Sequence, residues 1–209
     1  MEMEALVNEI INNIDKPIMW DYYPGFFSED LYETLYKEIE NKVASYMVPV
    51  YGKEFPSKRL SCYFTDTNLD KKHGNPVSPY FSYSNLPFFD WTESKTIQMI
   101  KEKVEKKLDT YFDYVLVHIY RSGTDYIGPH SDNEALDTDI ASVSFGATRK
   151  FRIRRKKETK GYDYEFNLST GDLFYMRNGC QRIYKHFIPI EKKVKSPRIN
   201  LTFRKLQKG

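Results

Sequence analysis

Two of the four histidines in this 209-residue sequence occur in a pattern that suits a metal ion. His130 and Asp132 are two positions apart, so both side chains point the same way if the segment is extended. His186 follows much later, inside a mostly apolar run. Two imidazoles and one carboxylate leave coordination positions open, as in non-haem Fe(II) oxygenases. The pattern predicts an iron site; the alternative is an exposed loop pair and a histidine packed in the core.

Residues 198–204 alternate between polar and apolar side chains shortly after His186. Ile199, Leu201 and Phe203 point to one side of the predicted strand. The other side carries Arg198, Asn200, Thr202 and Arg204. Four polar groups facing an interior are costly unless a ligand pairs with them, and arginine binds a carboxylate bidentately. The pattern favours an anion-binding face beside the metal, although an edge strand with its polar face in water would show the same alternation.

Two amphipathic helices are predicted in the first half of the chain to support these residues. Ser28 is expected to cap a helix that continues to Tyr46, and Thr92 is expected to cap a second. Their apolar positions recur at helical spacing: Leu31, Leu35, Ile39 and Val43 in the first, and Ile97, Ile100, Val104 and Leu108 in the second. Residues 48–91 are rich in Pro, Tyr, Phe and Asn, which predicts irregular hairpins and loops.

Seven short strands are predicted after residue 112, with turn residues between them. This spacing is typical of a sandwich or barrel. Helices that precede strands predict an α+β fold in which the helices buttress a sheet. The predicted strands are 114–120, 139–145, 150–154, 162–168, 172–176, 183–190 and 198–204.

The amino-acid composition limits the class of protein to which this chain can belong. The chain is 16% aromatic, and its length is sufficient for one domain with a core. No run of 18 apolar residues predicts a membrane span, and the acidic N-terminus lacks the apolar stretch of a signal peptide. We therefore expect an intracellular protein of nucleus or cytoplasm, with Cys62 and Cys180 as free thiols. The net charge of +3 permits a phosphate-bearing partner, and the richness in Lys, Asn and Tyr is compatible with an AT-rich, for instance viral, genome.

The segments that carry these patterns resemble the AlkB family of DNA and RNA dealkylases. They are VLVHIYRSGTDYIGPHSDNE (115–134), IASVSFGATRKFRIR (140–154), GDLFYMRNGCQRIYKHFIP (171–189) and SPRINLTFRKL (196–206). Within the family, the likeness is to the branch that repairs double-stranded DNA, and it extends upstream through VYG (50–52) and YS (83–84). The resemblance implies a double-stranded β-helix (jelly-roll) core at 113–206 and a nucleotide-recognition lid at 48–91, within one domain of residues 1–209.

The resemblance also implies a role for individual residues. Fe(II) would be held by His130, Asp132 and His186. The cosubstrate 2-oxoglutarate would be contacted by His118, Tyr120, Arg198, Thr202 and Arg204, with Arg198 on its distal carboxylate and Arg204 nearer the metal. The substrate, an alkylated base flipped out of double-stranded DNA, would be contacted by Tyr51, Gly52, Phe81, Tyr83, Ser84 and Asn133. The expected assembly is a monomer that acts on nucleic acid.

Three of these positions depart from the family pattern. His118 stands where the family has an Asn that contacts the cosubstrate, so we expect retained but altered binding. Asn133 replaces an acidic residue that reads the base, which leaves the base preference open. Tyr51 replaces a Phe at the tip of the hairpin that enters the duplex. Tyr51 would stack in the gap left by the flipped base; the alternative is a core tyrosine beside Phe55.

The chemistry implied by the resemblance is oxidative dealkylation. O₂ and 2-oxoglutarate are consumed, succinate and CO₂ are formed, and an N-methyl group of a 1-methyladenine or 3-methylcytosine type of base leaves as formaldehyde. Three alternatives stay open: an RNA demethylase, another 2-oxoglutarate hydroxylase, and a catalytically silent nucleic-acid-binding module.

A stripe of basic residues is predicted on the strand at 150–154 and just beyond it. It comprises Lys150, Arg152, Arg154 and Lys156, with Phe151 and Ile153 pointing inward. Such a stripe could follow a phosphate backbone, but a face exposed to solvent would show the same pattern, so the signal is weak.

Overall fold

The computed structural model describes residues 17–50, 53–66 and 86–206. Several of the residues assigned above to substrate contact lie outside these ranges: Tyr51, Gly52, Phe81, Tyr83 and Ser84. Their roles therefore stay predictions, as does the division of one domain into a lid and a core. Within the described ranges, no helix is long and apolar enough to cross a membrane.

Strands dominate the described part of the chain. In chain order they are β1 (Trp20–Tyr23), β2 (Met47–Val50), β3 (Lys53–Pro56), β4 (Leu60–Thr65), β5 (Phe88–Asp90), β6 (Tyr114–Tyr120), β7 (Ile127–His130), β8 (Ile140–Gly146), β9 (Arg149–Arg155), β10 (Tyr164–Leu168), β11 (Leu173–Met176), β12 (Tyr184–Ile188) and β13 (Arg198–Arg204). All seven predicted strands are confirmed, with ends that moved by no more than two residues. The strands β1 and β7 were not predicted, and β2 to β5 lie in the region around residues 48–91 where only irregular hairpins and loops were predicted.

The strands form two main sheets. The larger sheet has the order β1-β11-β8-β13-β6-β4-β5, and the smaller has the order β10-β9-β12-β7. A separate antiparallel hairpin joins β2 and β3. One hydrophobic cluster, which includes Trp20, Phe151 and Phe174, contains residues of both main sheets and packs them face to face. This arrangement is the expected jelly-roll core.

Within the described ranges, three α-helices accompany the sheets: α1 (Leu31–Ile39), α2 (Lys95–Leu108) and α3 (Cys180–Ile183). The apolar sides of α1 and α2 share a buried cluster with one face of the larger sheet, including Ile199 and Leu201 of β13. The helices therefore buttress the sheet as expected. Because the helices cover one face of β13, its opposite face, which carries the polar side chains, points toward the smaller sheet.

The predicted ends of the first helix were wrong. It begins at Leu31 after Asp30, and no side chain caps it. It ends at Ile39 rather than continuing to Tyr46, because the chain beyond it is drawn into strand pairing. Ala44 forms a bridge with Ser61, with backbone hydrogen bonds of 2.9 and 2.8 Å in the two directions. Backbone hydrogen bonding to β4 thus competes with continuation of the helix.

The predicted cap of the second helix was also wrong. Ser94, not Thr92, caps α2, and its side chain accepts a hydrogen bond from the backbone N–H of Ile97 at 3.1 Å. Thr92 instead lies in a short 3₁₀ turn, Trp91–Glu93, which Asp90 caps. The sequence offers several polar residues in succession, and only the direction in which the chain enters the helix decides which of them caps it.

The basic stripe on β9 is partly neutralised. Phe151 and Ile153 are buried and the intervening basic residues are partly exposed, as predicted. However, the Nε of Arg152 lies 2.6 Å from a carboxylate oxygen of Glu165 on the neighbouring β10, and its guanidinium lies over the ring of Tyr162. Such pairing reduces the positive charge that the stripe presents to a phosphate backbone.

Candidate metal and cosubstrate site

The predicted metal ligands come together between the two sheets. His130 ends β7, and His186 lies directly opposite it on β12. The Nε2 of His130 is 3.6 Å from Oδ1 of Asp132, and the Nε2 of His186 is 3.7 Å from Oδ2. Each residue offers one ligand atom, and these atoms lie within 4.8 Å of one another. Among the described residues, no other group of three or more potential ligands meets this criterion.

The protonation of the two imidazoles suits metal binding. Burial, together with the smaller effect of the nearby His130, lowers the pKa of His186 to about 3 against the opposing effect of Asp132. Burial also lowers the pKa of His130. Both rings are therefore neutral near pH 7 and offer a lone pair. The Nδ1 of His130 lies 2.9 Å from the carbonyl of Gly128, which can only accept, so Nδ1 carries the proton and Nε2 is left for a metal.

The carboxylate of Asp132 is held ionised. Burial raises its pKa, but Arg204 and the two histidines outweigh burial and lower the pKa to about 2. The Nη2 of Arg204 is 2.9 Å from Oδ2, yet this buried oxygen has no hydrogen bond among the described residues, so the contact is ionic. A buried carboxylate oxygen with unused lone pairs, beside two neutral imidazoles, fits a divalent cation.

The spacing of the ligand atoms also fits. Adjacent ligands bound about 2.1 Å from a metal lie about 3 Å apart. The Nε2 to carboxylate distances of 3.6 and 3.7 Å are slightly wider than this, and they close by small side-chain rotations. Donors of two imidazoles and one carboxylate leave coordination positions for other ligands.

The polar face of β13 forms the other wall of the site. This strand lies between β6 and β8, and all seven of its residues are buried, so the alternative of a solvated edge strand was wrong. Beside the triad is a cavity that opens to solvent, with about 390 Å³ of empty space when its open mouth is included. Four of the residues expected to contact the cosubstrate line it, namely His118, Tyr120, Thr202 and Arg204, together with Asn200.

Arg198 lies behind Tyr120 and does not line the cavity directly. It is 1% exposed, and its guanidinium carbon is 5.2 Å from the ring centroid of Tyr120. Its Nη2 donates to Ser144 at 2.9 Å, while Nε and Nη1 have no hydrogen-bond partner among the described residues. Burial lowers the pKa of Arg198 to about 10, so the group is still charged at pH 7. A buried guanidinium with unused donors is suited to an anion.

Arg204 connects the metal triad to a second carboxylate. It forms ion pairs with both Asp132 and Glu134. Burial lowers the pKa of Arg204, but the two carboxylates outweigh burial and raise it, so the group is charged. Asn133, between these acids, is exposed in the 3₁₀ turn Asn133–Ala135 and does not line the cavity. Asn133 thus lies next to a residue of the triad, but its side chain is exposed to solvent and does not point into the cavity.

His118 makes contacts that the sequence did not predict. Its Nδ1 is 2.6 Å from Oγ of Ser61, and its Nε2 is 3.4 Å from Nη1 of Arg59. Because arginine can only donate, Nε2 accepts and the proton lies on Nδ1, which donates to Ser61. Burial lowers the pKa of His118 well below its usual range, and Arg59 lowers it further, so the ring is neutral.

Arg59 is the cavity residue that sequence reasoning missed. It is 5% exposed, lines the cavity, and donates from Nη2 to the hydroxyl of Tyr46 at 2.8 Å. A single arginine in a segment predicted as loops carries no signal of burial. Ser142 and the apolar side chains of Ile127, Met176 and Ile188 also line the cavity and were not singled out, whereas Phe151 was expected only to point inward.

Comparison with known proteins identifies the family. The sequence model of the 2OG-Fe(II) oxygenase superfamily matches residues 20–204, which is nearly the whole described fold. The chain belongs to the 2OG-Fe(II) oxygenases. Members of this superfamily use Fe(II), 2-oxoglutarate and O₂, so the predicted cofactors and the class of enzyme are confirmed.

Relatives place the oxygenase in the AlkB branch. It is 34% identical to an uncharacterised protein of Acanthamoeba polyphaga mimivirus over 182 residues, 85% of this chain and 88% of that one. It is 30% identical to the DNA oxidative demethylase ALKBH2 of Homo sapiens over 190 residues, 86% of this chain and 69% of that one. The predicted resemblance to the AlkB family is therefore confirmed.

A solved structure supports the fold of the oxygenase. The structure of OsALKBH1 aligns with a TM-score of 0.59 at 17% sequence identity, and the alignment covers 91% of this chain and 99% of that one. At this identity the likeness shows the fold alone. It agrees with the two-sheet architecture described above.

Proposed function

We propose that this oxygenase removes alkyl groups from N-alkylated bases in DNA, as a direct-reversal repair enzyme. The observation that carries the proposal is the His130, Asp132 and His186 triad facing a buried wall of polar residues on β13. The human relative, named a DNA oxidative demethylase, directs the choice of substrate class. Bases of the 1-methyladenine and 3-methylcytosine type are the proposed substrates, in double-stranded DNA, and the proposed active form is a monomer.

The triad would hold the iron in this proposal. Bound iron supplies the oxidising power that couples decarboxylation of 2-oxoglutarate to oxidation of the alkyl carbon. The two neutral imidazoles and the ionised Asp132 provide the donors. The ion pair with Arg204 keeps that carboxylate deprotonated and limits its rotation.

The wall formed by β6 and β13 would hold the cosubstrate. Arg198 offers two buried N–H groups without a partner among the described residues, which suits the distal carboxylate of 2-oxoglutarate. Tyr120 lies between Arg198 and the cavity, and Thr202 and Arg204 line the route to the triad. The apolar wall that includes Phe151 and Met176 would exclude water from the reacting carbon.

The substrate base would enter from outside the two sheets. A base must leave the duplex stack to reach the triad, and aromatic side chains suit the pocket that receives it. Phe81, Tyr83 and Ser84 are proposed for this role on the family resemblance, and Tyr51 for the gap in the duplex. Asn133 follows Asp132 directly and is exposed, so its side chain is accessible to a ligand outside the cavity.

Formaldehyde release tests the proposal. The enzyme is incubated with Fe(II), 2-oxoglutarate and a matched set of oligonucleotides that carry 1-methyladenine, 3-methylcytosine or no modification. Each sequence is supplied as single- and double-stranded DNA and as RNA, and the His130→Ala variant is the control for iron-dependent turnover. We expect formaldehyde and succinate in equal amounts from methylated DNA, with the duplex preferred.

Each alternative gives a different result. Turnover only on RNA would make the enzyme an RNA demethylase. Succinate production without formaldehyde from any oligonucleotide would indicate another 2-oxoglutarate hydroxylase. Oligonucleotide binding without iron-dependent succinate would indicate a silent binding module. Any of these three outcomes would refute the proposed DNA dealkylation.

A further inference from the structure

Gln181 is a buried neutral residue close to the triad that has no role in the site described so far. It lies in α3 and is 2% exposed. The backbone N–H of Asp132 donates to its Oε1 at 3.0 Å, and its Nε2 lies 3.3 Å from Sδ of Met176. Because a backbone N–H can only donate, the oxygen of the amide must face Asp132. The contact therefore also determines which way the amide is oriented.

The backbone of Asp132 depends on this contact because it lies outside the regular sheet. The strand β7 ends at His130, and the 3₁₀ turn begins at Asn133. The carbonyl of Asp132 accepts a hydrogen bond from the N–H of Ala135 at 3.0 Å. With the N–H bound to Gln181, both polar groups of the residue are fixed, and with them the direction of its side chain.

The helix that carries Gln181 is itself anchored on both sides. Arg182 forms an ion pair with Asp137 in the segment just beyond Asp132. Before the helix, Arg177 pairs with Asp21 of β1, with a distance of 2.9 Å from its Nε to the carboxylate. The position of Gln181 thus follows from contacts to the larger sheet and to the chain after the triad, and does not depend on a metal being bound.

We propose that Gln181 is a positioning residue that aims the carboxylate of Asp132 at the metal. The proposal rests on the proposed function in one respect, namely that the triad binds a divalent cation. Metal sites tolerate ligand displacements of only about 0.2 Å, so a rotated Asp132 peptide weakens binding. Partners that orient a ligand typically contribute about 10–100-fold to metal affinity.

Mn(II) affinity of the metal-free protein tests this role without relying on turnover. Gln181→Met keeps the length of the side chain and removes the strong acceptor, so we expect its Kd for Mn(II) to rise by about 10–100-fold in isothermal titration calorimetry. The melting temperature of the metal-free protein should stay close to that of the wild type. Gln181→Glu keeps an acceptor oxygen and should bind Mn(II) no more weakly than the wild type.

Gln98→Met is the matched control, since it makes the same substitution at an exposed position of α2, on the far face of the larger sheet, and should leave the Mn(II) affinity unchanged. Equal affinity in Gln181→Met and the wild type would overturn the inference, and so would a lower melting temperature with unchanged affinity. If Gln181→Met does not fold, Gln181→Asn replaces it with the same expectation, because its amide is one methylene too short. A wild-type protein that binds no Mn(II) would overturn the proposed function as well, so the two failures are distinguishable.

Discussion

At the scale of single residues, charge and protonation make the triad suitable for a cation before any metal is present. The pKa of Asp132 is lowered to about 2 by Arg204 and the histidines despite burial, and burial keeps His186 neutral. The cluster therefore presents one negative charge and two lone pairs at neutral pH. Removing any member changes the donor set directly, whereas the neighbouring residues act through orientation and, in the case of Arg204, through the charge that lowers the pKa of Asp132.

We expect the His130→Ala variant to lose turnover completely while it remains folded. His130 is 29% exposed and ends its strand, so truncation leaves little cavity in the core. Loss of one of three protein ligands should lower turnover by more than the roughly 10–100-fold that is typical when a residue that only orients a ligand is changed. Formaldehyde release and circular dichroism of the metal-free protein are the measurements. Near-normal turnover would remove His130 from the iron site, and the same test applies to Asp132→Ala and His186→Ala.

Arg198→Ala is expected to raise the KM for 2-oxoglutarate strongly, because it removes a buried guanidinium with two unpaired nitrogens. Arg198→Lys should recover binding only in part, since lysine keeps the charge but loses the bidentate geometry. Arg152→Ala, which breaks a surface pair with Glu165, is the control and should leave this KM unchanged. Steady-state kinetics at varied 2-oxoglutarate concentration decide; an unchanged KM in Arg198→Ala would contradict the role.

At the scale of elements, strand register brings the polar residues of the site together. Neighbouring strands pair Ser61 of β4 with His118 of β6, and His118 with Asn200 of β13. Side chains of paired residues share a face of the sheet, so one row of the sheet contains all three. His118 therefore connects β4 to the cavity through its contacts with Ser61 and with Arg59 just before that strand.

His118→Asn should retain turnover with altered cosubstrate binding, because the family uses Asn at this position. The shorter side chain cannot reach both Ser61 and Arg59, so we expect a loss of about 1 kcal/mol in the free energy of unfolding for the missing hydrogen bond. Urea unfolding and the KM for 2-oxoglutarate are the measurements. His118→Leu, which removes both contacts, should be the less stable variant. An inactive but folded His118→Asn would show that His118 has a role beyond that of the family's Asn.

At the scale of the whole molecule, the helices α1 and α2 cover one face of the larger sheet, and the smaller sheet covers the other. The site is therefore enclosed between two sheets, and a base in a duplex must be brought to it. Val50 ends β2 and Lys53 begins β3, and these two residues pair across the hairpin. Tyr51 and Gly52 come between them in the sequence and lie outside the described residues, so their role in the duplex stays a prediction.

Tyr51→Ala is expected to lower activity on methylated double-stranded DNA by about tenfold or more and to leave activity on single strands unchanged. Flipping leaves a gap in the stack, and base–aromatic stacking contributes roughly 1–3 kcal/mol, which corresponds to about tenfold per 1.4 kcal/mol. Parallel formaldehyde assays on the two substrates measure the ratio. A tyrosine that only packs beside Phe55 would instead give equal losses on both substrates and a lower melting temperature.

The sequence by itself determined the ligand set and most of the strands. Side chains alternate with a period of two along a strand, so the spacing of His130 and Asp132 and the polar face of β13 were readable without a structure. The extent of the helices was less readable, since capping by Ser94 and the early end of α1 depend on how the chain enters and leaves each helix. Local sequence patterns thus predict the periodic elements and the residue types of the site, but not where each element begins and ends.

Only the tertiary structure decided how the ligands are held. The contact of Gln181 with Asp132 joins residues 49 positions apart, and that of Arg59 with His118 joins residues 59 apart. Such contacts depend on the register of paired strands and on which side chains are buried together, neither of which follows from residue spacing. The sequence therefore predicts which chemistry is present, while the fold determines how precisely the groups that perform it are oriented.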